Sequence, residues 1–435
     1  MSESSEQVRA SLSGLCTKLL EPETPEAATL LRVAELVGCF ETDRLDADSL
    51  RVFVRCSQCL ELETSGELAL ALGHTMARLS ALAHGGARET FLHDGALGVL
   101  LRLAAHPLLA PAHAAATGLA NLFAHALPGA AAAAAAAGLD HSANDHADWE
   151  FRRQLLEYEG GEVLRAVGRL AKRLAESEAT EKAAGGATEE VDRTEVAATG
   201  PADAAPPAAP PPLAAGTRIE GAQRLGFGGK SSISTAATGG GTAGSSFCRT
   251  SALSDALAMV LMQLSQPPPQ SAGGGVGAVA DGRRLITQRF CETGGLFALV
   301  RLCAHARPGG CGDVSARSRG KEQAQQAQQA QQAQQAIGGL RALLACTMLH
   351  VAHLVPADAV LMGAAVDFAA DTEPRVHSPA IGVLCRLATV ETVRPLLKAG
   401  GALAALKRFK VSRAARRQPT LVARVSAAVR QCECE

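Results

Sequence analysis

Apolar residues recur along this chain at intervals of three and four, and the recurrence is organised around a repeated glycine. The unit reads as an Arg, an apolar residue three positions on, a Gly four positions later, and then an apolar run containing another Arg. Three copies are RETFLHDGALGVLLRL (88–103), RQLLEYEGGEVLRAVGRL (153–170) and RPLLKAGGALAALKRF (394–409). A fourth, TQRFCETGGLFALVRL (287–302), has Thr287 in place of the first Arg. Four residues before the key glycines Gly95, Gly160, Gly294 and Gly401 stand Phe91, Leu156, Phe290 and Leu397. Five residues after them stand Leu100, Leu299 and Leu406. The second copy departs, with Arg165 at that place and its Arg169 further out than Arg102, Arg301 and Arg408. The pattern predicts a short helix, a tight corner where Gly permits positive φ, and a second helix with one apolar face.

A longer helix rich in Ala and Leu is expected before each corner unit, at 112–123, 252–264 and 378–388. Small residues on these helices let neighbouring layers approach closely. The key glycines lie 65, 134 and 107 residues apart, against about 40 to 47 for a three-helix repeat. The excess is read as insertions at 130–148, 267–282 and 307–335, the last including the Gln/Ala tract 323–335. A further unit fits at 336–368, with its corner at Gly363. Residues 1–83 fit a helical cap with a degenerate first repeat, because terminal repeats are atypical. Repeats then occupy 84–176 and 247–431, and 432–435 form a tail. Segment 177–246 contains PADAAPPAAPPP and no sustained apolar period. It is expected to be a disordered excursion, since it cannot bury enough surface to offset its ordering entropy; an interdomain linker is the alternative.

Composition sharpens this. Hydrophobic residues make up 47% of the 435, but aromatics only 3%, so the core must be built from Ala, Leu and Val, which favours helix on helix. Lys plus Arg (42) balances Asp plus Glu (43), so no overall field draws the chain to nucleic acid or an anionic membrane, and such binding would have to be local. The longest apolar run, 130–137, is far short of a membrane span. With no apolar stretch behind the polar N-terminus, a soluble cytoplasmic or nuclear protein is expected. The twelve cysteines are irregularly spaced, many within apolar helical patterns such as Cys303 and Cys385, which suits reduced buried thiols.

The corner signature and the phrase AAATGLANL (114–122) resemble armadillo-repeat proteins over about two thirds of the chain. A HEAT-like or irregular α-solenoid is the alternative. The resemblance implies an all-α, right-handed solenoid of about five to six repeats with disordered insertions. It also implies a groove lined by third helices. In the importin-alpha type of the family, an Asn on successive third helices holds an extended peptide by its backbone, with a Trp one turn earlier. Asn121 matches the Asn, but Gln263 and Arg386 stand at the equivalents, with Thr347 at a fourth. One turn earlier come Thr117, Met259 and Gly382, none of them Trp. The resemblance thus argues against an import receptor and leaves a groove for another protein, with His113, Thr117, Asn121, Asp255, Met259, Gln263, Gly382 and Arg386 as its candidates.

Other constellations carry less. GFGGKSS (226–232) lacks the first Gly of a phosphate-binding loop, which Arg224 replaces, and reads as solvated linker. Cys56 and Cys59 form one CxxC with no second pair or matching His at finger spacing, so two thiols on one helix are expected. Cys432 and Cys434 are expected to be incidental exposed thiols in the tail. His350 and His353 share one face of an expected helix without a third ligand and read as ordinary helix histidines. No catalytic fingerprint is present, so neither an enzyme nor a cofactor is expected. The basic run of Lys407, Arg408, Lys410, Arg413, Arg416 and Arg417 is a solvated face of the last repeat, a patch for an acidic partner or nucleic acid, or a localisation signal. Together these readings point to a non-catalytic scaffold or adaptor for one or more proteins. A client-specific assembly factor or a nucleic-acid-associated protein is the alternative.

Overall fold

The computed structural model describes residues 54, 66–81, 91–92, 95–122, 141–195, 244–268, 276–306 and 322–433. The described residues are helical throughout their regular structure. Helices α1 (Gly66–Ala81), α2 (Ala96–Ala105), α3 (Leu109–Leu122), α4 (His141–Glu157) and α5 (Glu162–Glu195) precede the long undescribed stretch. After it come α6 (Gly244–Ser265), α7 (Val276–Glu292), α8 (Gly295–His305), α9 (Glu322–His350), α10 (Ala359–Ala369), α11 (Pro374–Leu387), α12 (Arg394–Ala399), α13 (Ala402–Val411) and α14 (Pro419–Glu433). The chain divides into two compact units, Met1–Arg173 with Gly240–Glu435, and Leu174–Gly239. Within the second unit the described part is the helical backbone of α5 as far as Glu195.

In the first unit six helices form one row. α1 packs on α3, α3 on α6, α6 on α9, α9 on α11 and α11 on α14. A second row lies against it through α2 on α3, α8 on α6, α10 on α11 and α13 on α14, and within this row α8 meets α10 and α10 meets α13. α5 joins the second row through small residues: a Cβ on its Gly168 would stand 3.2 Å from the Gly294 carbonyl oxygen, so a side chain there would push the two backbones apart by a few tenths of an ångström. The core between the rows is Leu, Ala and Val with a few large anchors, among them the fully buried Phe91, Phe290 and Phe368. Cys303 and Cys385 are buried cysteines outside any disulfide.

The corners form where the repeated glycines stand. Gly95, Gly294 and Gly401 have φ of 83°, 90° and 81° and cap the N-termini of α2, α8 and α13. The second copy turns differently. Glu159, Gly160 and Gly161 all have positive φ, so three successive residues make the turn; α5 starts one residue later after its glycine than α2, α8 and α13 do, and its burial pattern runs two residues behind theirs. Along α5, Ala166, Val167, Leu170 and Ala171 are buried while Arg165, Arg169 and Lys172 are exposed. Along α8, Ala298, Leu299, Leu302 and Cys303 are buried while Phe297, Arg301 and Ala304 are exposed. The extended corner therefore puts Arg169 in register with Arg102, Arg301 and Arg408 and moves Arg165 to an exposed position.

Several expectations are corrected. Gly363 is not a corner, because it lies inside α10. The turn is made by a 3-10 segment, Ala352–Ala357, and by Asp358, whose Oδ1 accepts from the Val360 and Leu361 amides. A carboxylate cap satisfies the first orphan amides of α10 and removes the need for a left-handed residue. Cys432 is buried within α14 and is not an exposed tail thiol, since the helix continues to Glu433. Helix also occupies parts of spans read as insertions or excursion: 141–148 in α4, 177–195 in α5, 276–282 in α7 and 322–335 in α9. Ala, Gln, Glu and Lys are strong helix formers, so low-complexity sequence of that composition continues a helix without a core of its own. The cap at 1–65 (residue 54 aside), the phosphate-loop-like segment, Cys56, Cys59 and Cys434 lie outside the described residues.

Candidate functional site

The groove candidates occupy the row of long helices. His113, Thr117 and Asn121 are four residues apart on α3, Asp255, Met259 and Gln263 are four apart on α6, and Gly382 and Arg386 lie on α11. Each set therefore shares a helix face. Their surroundings differ. His113, Thr117, Asn121, Asp255 and Met259 are half-buried, Gln263 and Gly382 are buried, and Arg386 is exposed.

Two of the polar candidates hold neighbouring helices together. Asn121 Nδ2 donates to the Ala77 carbonyl in the last turn of α1 at 2.8 Å, and Arg386 Nη1 donates to the Leu349 carbonyl in the last turn of α9. The same device recurs. Arg173 of α5 donates to the Ala104, His106 and Pro107 carbonyls at the end of α2. Arg152 of α4 donates to the Gln263 and Gln266 carbonyls at the end of α6, and Arg394 to the Ala388 carbonyl after α11. The last carbonyls of a helix lack intrahelical partners and carry the negative end of its dipole, so a cation or amide from the next layer satisfies both.

Gln263 stands at the equivalent place on α6 but bonds to no helix. Its side chain is fully buried and neither amide atom has a hydrogen-bond partner. Arg152, whose guanidinium lies 5.6 Å from the Trp149 ring centre, covers that end of α6. Gln263 is therefore no surface for a peptide, a correction to its groove assignment. Gly382 is likewise a packing residue: a Cβ there would meet Leu349 Cδ1 at 3.0 Å. Thr347 is buried and donates to its own helix at Leu343, and Thr117 donates in the same way to the His113 carbonyl.

Asp255 is the one carboxylate of the set. Burial pushes its pKa up to about 7, against the weaker opposing field of His305, and its Oδ1 has no hydrogen-bond partner. His350 ends α9, whereas His353 lies in the 3-10 segment, so the two do not share one regular helix as expected. His350 Nδ1 meets Ser265 Oγ at 3.0 Å, and Ser265 donates its one hydroxyl proton to the Met262 carbonyl. The imidazole is then the donor to Ser265. Burial, with Arg386 and Arg152 nearby, pushes its pKa down to about 4. His353 Nε2 lies 2.7 Å from Thr287 Oγ1 on α7. Each histidine is thus spent on a different helix. Among the described residues no group of His, Cys, Asp or Glu could hold a metal ion, and no helix is long and apolar enough to cross a membrane.

All six residues of the basic run are exposed. Lys407 pairs with Glu433 at 2.7 Å. From Arg394 to Arg430 the chain carries ten Lys and Arg and no Asp or Glu, in a protein whose totals balance. Sequence reasoning missed the arginines that hold helix ends, Arg152 and Arg173. Nothing in their local pattern distinguishes them from the solvated arginines of the same helices.

Set against models of known protein families and against curated proteins, the chain matches none.

Proposed function

We propose that this protein is a non-catalytic scaffold or adaptor that binds another protein along the row α1, α3, α6, α9, α11 and α14, and that its two rows are layers of an armadillo-like α-solenoid. The observation that carries the reading is that row itself, in which each member packs on the next member in chain order. Such an order gives a quasi-one-dimensional stack whose exposed face grows with each layer, the usual surface by which helical-repeat proteins take extended partners. Half-buried Thr117 and Met259 belong to helices of that row, and the Thr117 hydroxyl donates within its own helix and not to a neighbouring layer.

The test is affinity capture with the full chain against a Thr117→Arg, Met259→Arg variant, with circular dichroism and thermal melting to establish that both are folded. Loss of a specific protein partner from a folded variant supports the reading; an unchanged set of partners overturns it. Asn121, Gln263 and Gly382 are unsuitable probes, because their substitution acts on packing between layers.

A further inference from the structure

The outer face of α13 carries a pattern that packing does not explain. Ala405, Leu406 and Phe409 are buried, and Lys407, Lys410 and Val411, spaced three and four apart, share the opposite face with Arg408 beside them. Val411 is 84% exposed, the highest figure among the large apolar side chains described. The chain then turns: the Ser412 amide donates to the Phe409 carbonyl at 2.9 Å, Ser412 Oγ accepts from the Ala415 amide at 3.2 Å, and the Arg417 amide donates to the Ala414 carbonyl at 3.1 Å. Two residues reach about 7 Å at most, so Arg413 stays beside Val411, and Arg416 and Arg417 close the same turn. All three are exposed. Lys407 pairs with Glu433, and among the described residues none of the other five cations is within ion-pair distance of a carboxylate. The dipole of α13 favours Arg408 and Lys410 at its C-terminal end. The dipole of α14 does the opposite. Arg416 and Arg417 stand just before its first residue, Pro419, at the positive end, and its first turn contains no acidic residue. Two cations are thus kept where the fold itself disfavours them, in a protein whose total charges balance.

We propose that this surface, from Lys407 to Arg417, docks on a bilayer face rich in anionic phospholipid, with Val411 entering the interface and the cations meeting the headgroup phosphates and carboxylates. The contact is peripheral: α13 stays packed through Leu406 and Phe409, and one side chain enters. α13 belongs to the second row, so the proposal adds to the protein-binding reading and does not depend on it. Both halves of the pattern are used. Each Lys or Arg near an anionic leaflet gains from its surface potential, and an aliphatic tip set among them gains from leaving water. A nucleic acid would use the cations but offers the aliphatic tip no apolar phase, and the run has no exposed aromatic on which a base could stack, because Phe409 is buried. A uniformly acidic protein segment would account for the cations and leave Val411 without a role.

The test is co-sedimentation of the full chain with vesicles of phosphatidylcholine alone and of phosphatidylcholine mixed with phosphatidylserine. Binding is expected to the mixed vesicles only, and is expected to weaken severalfold between about 50 and 200 mM salt. Arg413→Glu with Arg416→Glu is expected to weaken it by about tenfold or more, and the matched reversal on α7, Arg283→Glu with Arg284→Glu, by less than about threefold. Val411→Ser leaves every charge in place and is expected to weaken it by about threefold or more. Thermal melts establish that the variants fold; Arg416→Glu brings a carboxylate to the positive end of α14 and should not lower the melting temperature. The proposal is overturned if the mixed vesicles are not bound, if the two reversals weaken binding equally, or if a DNA duplex is bound more tightly than the mixed vesicles. It is also overturned if Val411→Ser binds the vesicles as the parent does, which would assign the cations to a nucleic acid or an acidic protein.

Discussion

The side-chain amide of Asn121 donates to the carbonyl oxygen of Ala77, 44 positions earlier in the chain, at 2.8 Å. This bond ties the end of α3 to the end of α1, so the residue that most resembles a peptide-holding asparagine is engaged within the protein. Arg386 does the same for α9, and Gln263, at the equivalent place on α6, does not.

That contrast predicts opposite effects of neighbouring substitutions. Asn121→Ala removes a bond and leaves a carbonyl at a helix end, and is expected to destabilise by about 1–2 kcal/mol. Gln263→Met keeps the volume and removes two buried polar atoms without partners, and is expected to stabilise by about 1 kcal/mol or more. Urea denaturation midpoints with unchanged slopes check both; a destabilised Gln263→Met would mean that the amide does have a partner.

Asp255 should make the protein less stable as pH rises. Its pKa is near 3.8 unfolded and about 7 folded, so the folded state holds a proton that the unfolded state has lost across that window. Stability is then full below about pH 4 and declines until about pH 7. Asp255→Asn is expected to raise stability at pH 8 by about 2–4 kcal/mol and to change it little at pH 4. Thermal melts of both proteins across this range decide it, and an equal shift at both pH values would reject a titrating carboxylate.

His350 acts with the opposite sign over an overlapping window. Its pKa falls from 6.5 unfolded to about 4 folded, so its contribution is intact above pH 6.5 and is lost as pH drops toward 4. In the Asp255→Asn background, where the opposing titration is gone, acidification from pH 7 to 4 is expected to cost about 3 kcal/mol through this group. His350→Gln should flatten that limb. A pH profile unmoved by the substitution would mean that the imidazole ionises freely in the folded protein.

Corner glycines should respond in proportion to what surrounds them. Gly401 has φ of 81° and nothing within 4 Å of an added Cβ, so Gly401→Ala carries only the backbone penalty, about 1 kcal/mol. Gly161 has φ of 97° and Thr293 Cγ2 at 2.6 Å from the same point, so Gly161→Ala is expected to cost at least twice as much. Chemical denaturation of the two variants orders them; equal losses would show that Thr293 moves aside freely.

The sequence by itself determined the helices with a periodic apolar face and most of the corners, but not the helical stretches of low-complexity sequence at 177–195 and 322–335. Period-three-and-four apolar spacing is a local property, and positive φ at Gly95, Gly294 and Gly401 follows from a residue without a Cβ at a forced turn. Tertiary structure decided the rest. The register shift in α5 depended on how three left-handed residues turn together, and the corner before α10 used an Asp cap that carries no glycine signal. The candidate site was legible only as helix faces. Whether Asn121, Gln263 or Arg386 meets a partner, a void or the carbonyl of a preceding helix depends on which helix end lies across from it. That is set by packing between residues distant in sequence, and no local pattern encodes it.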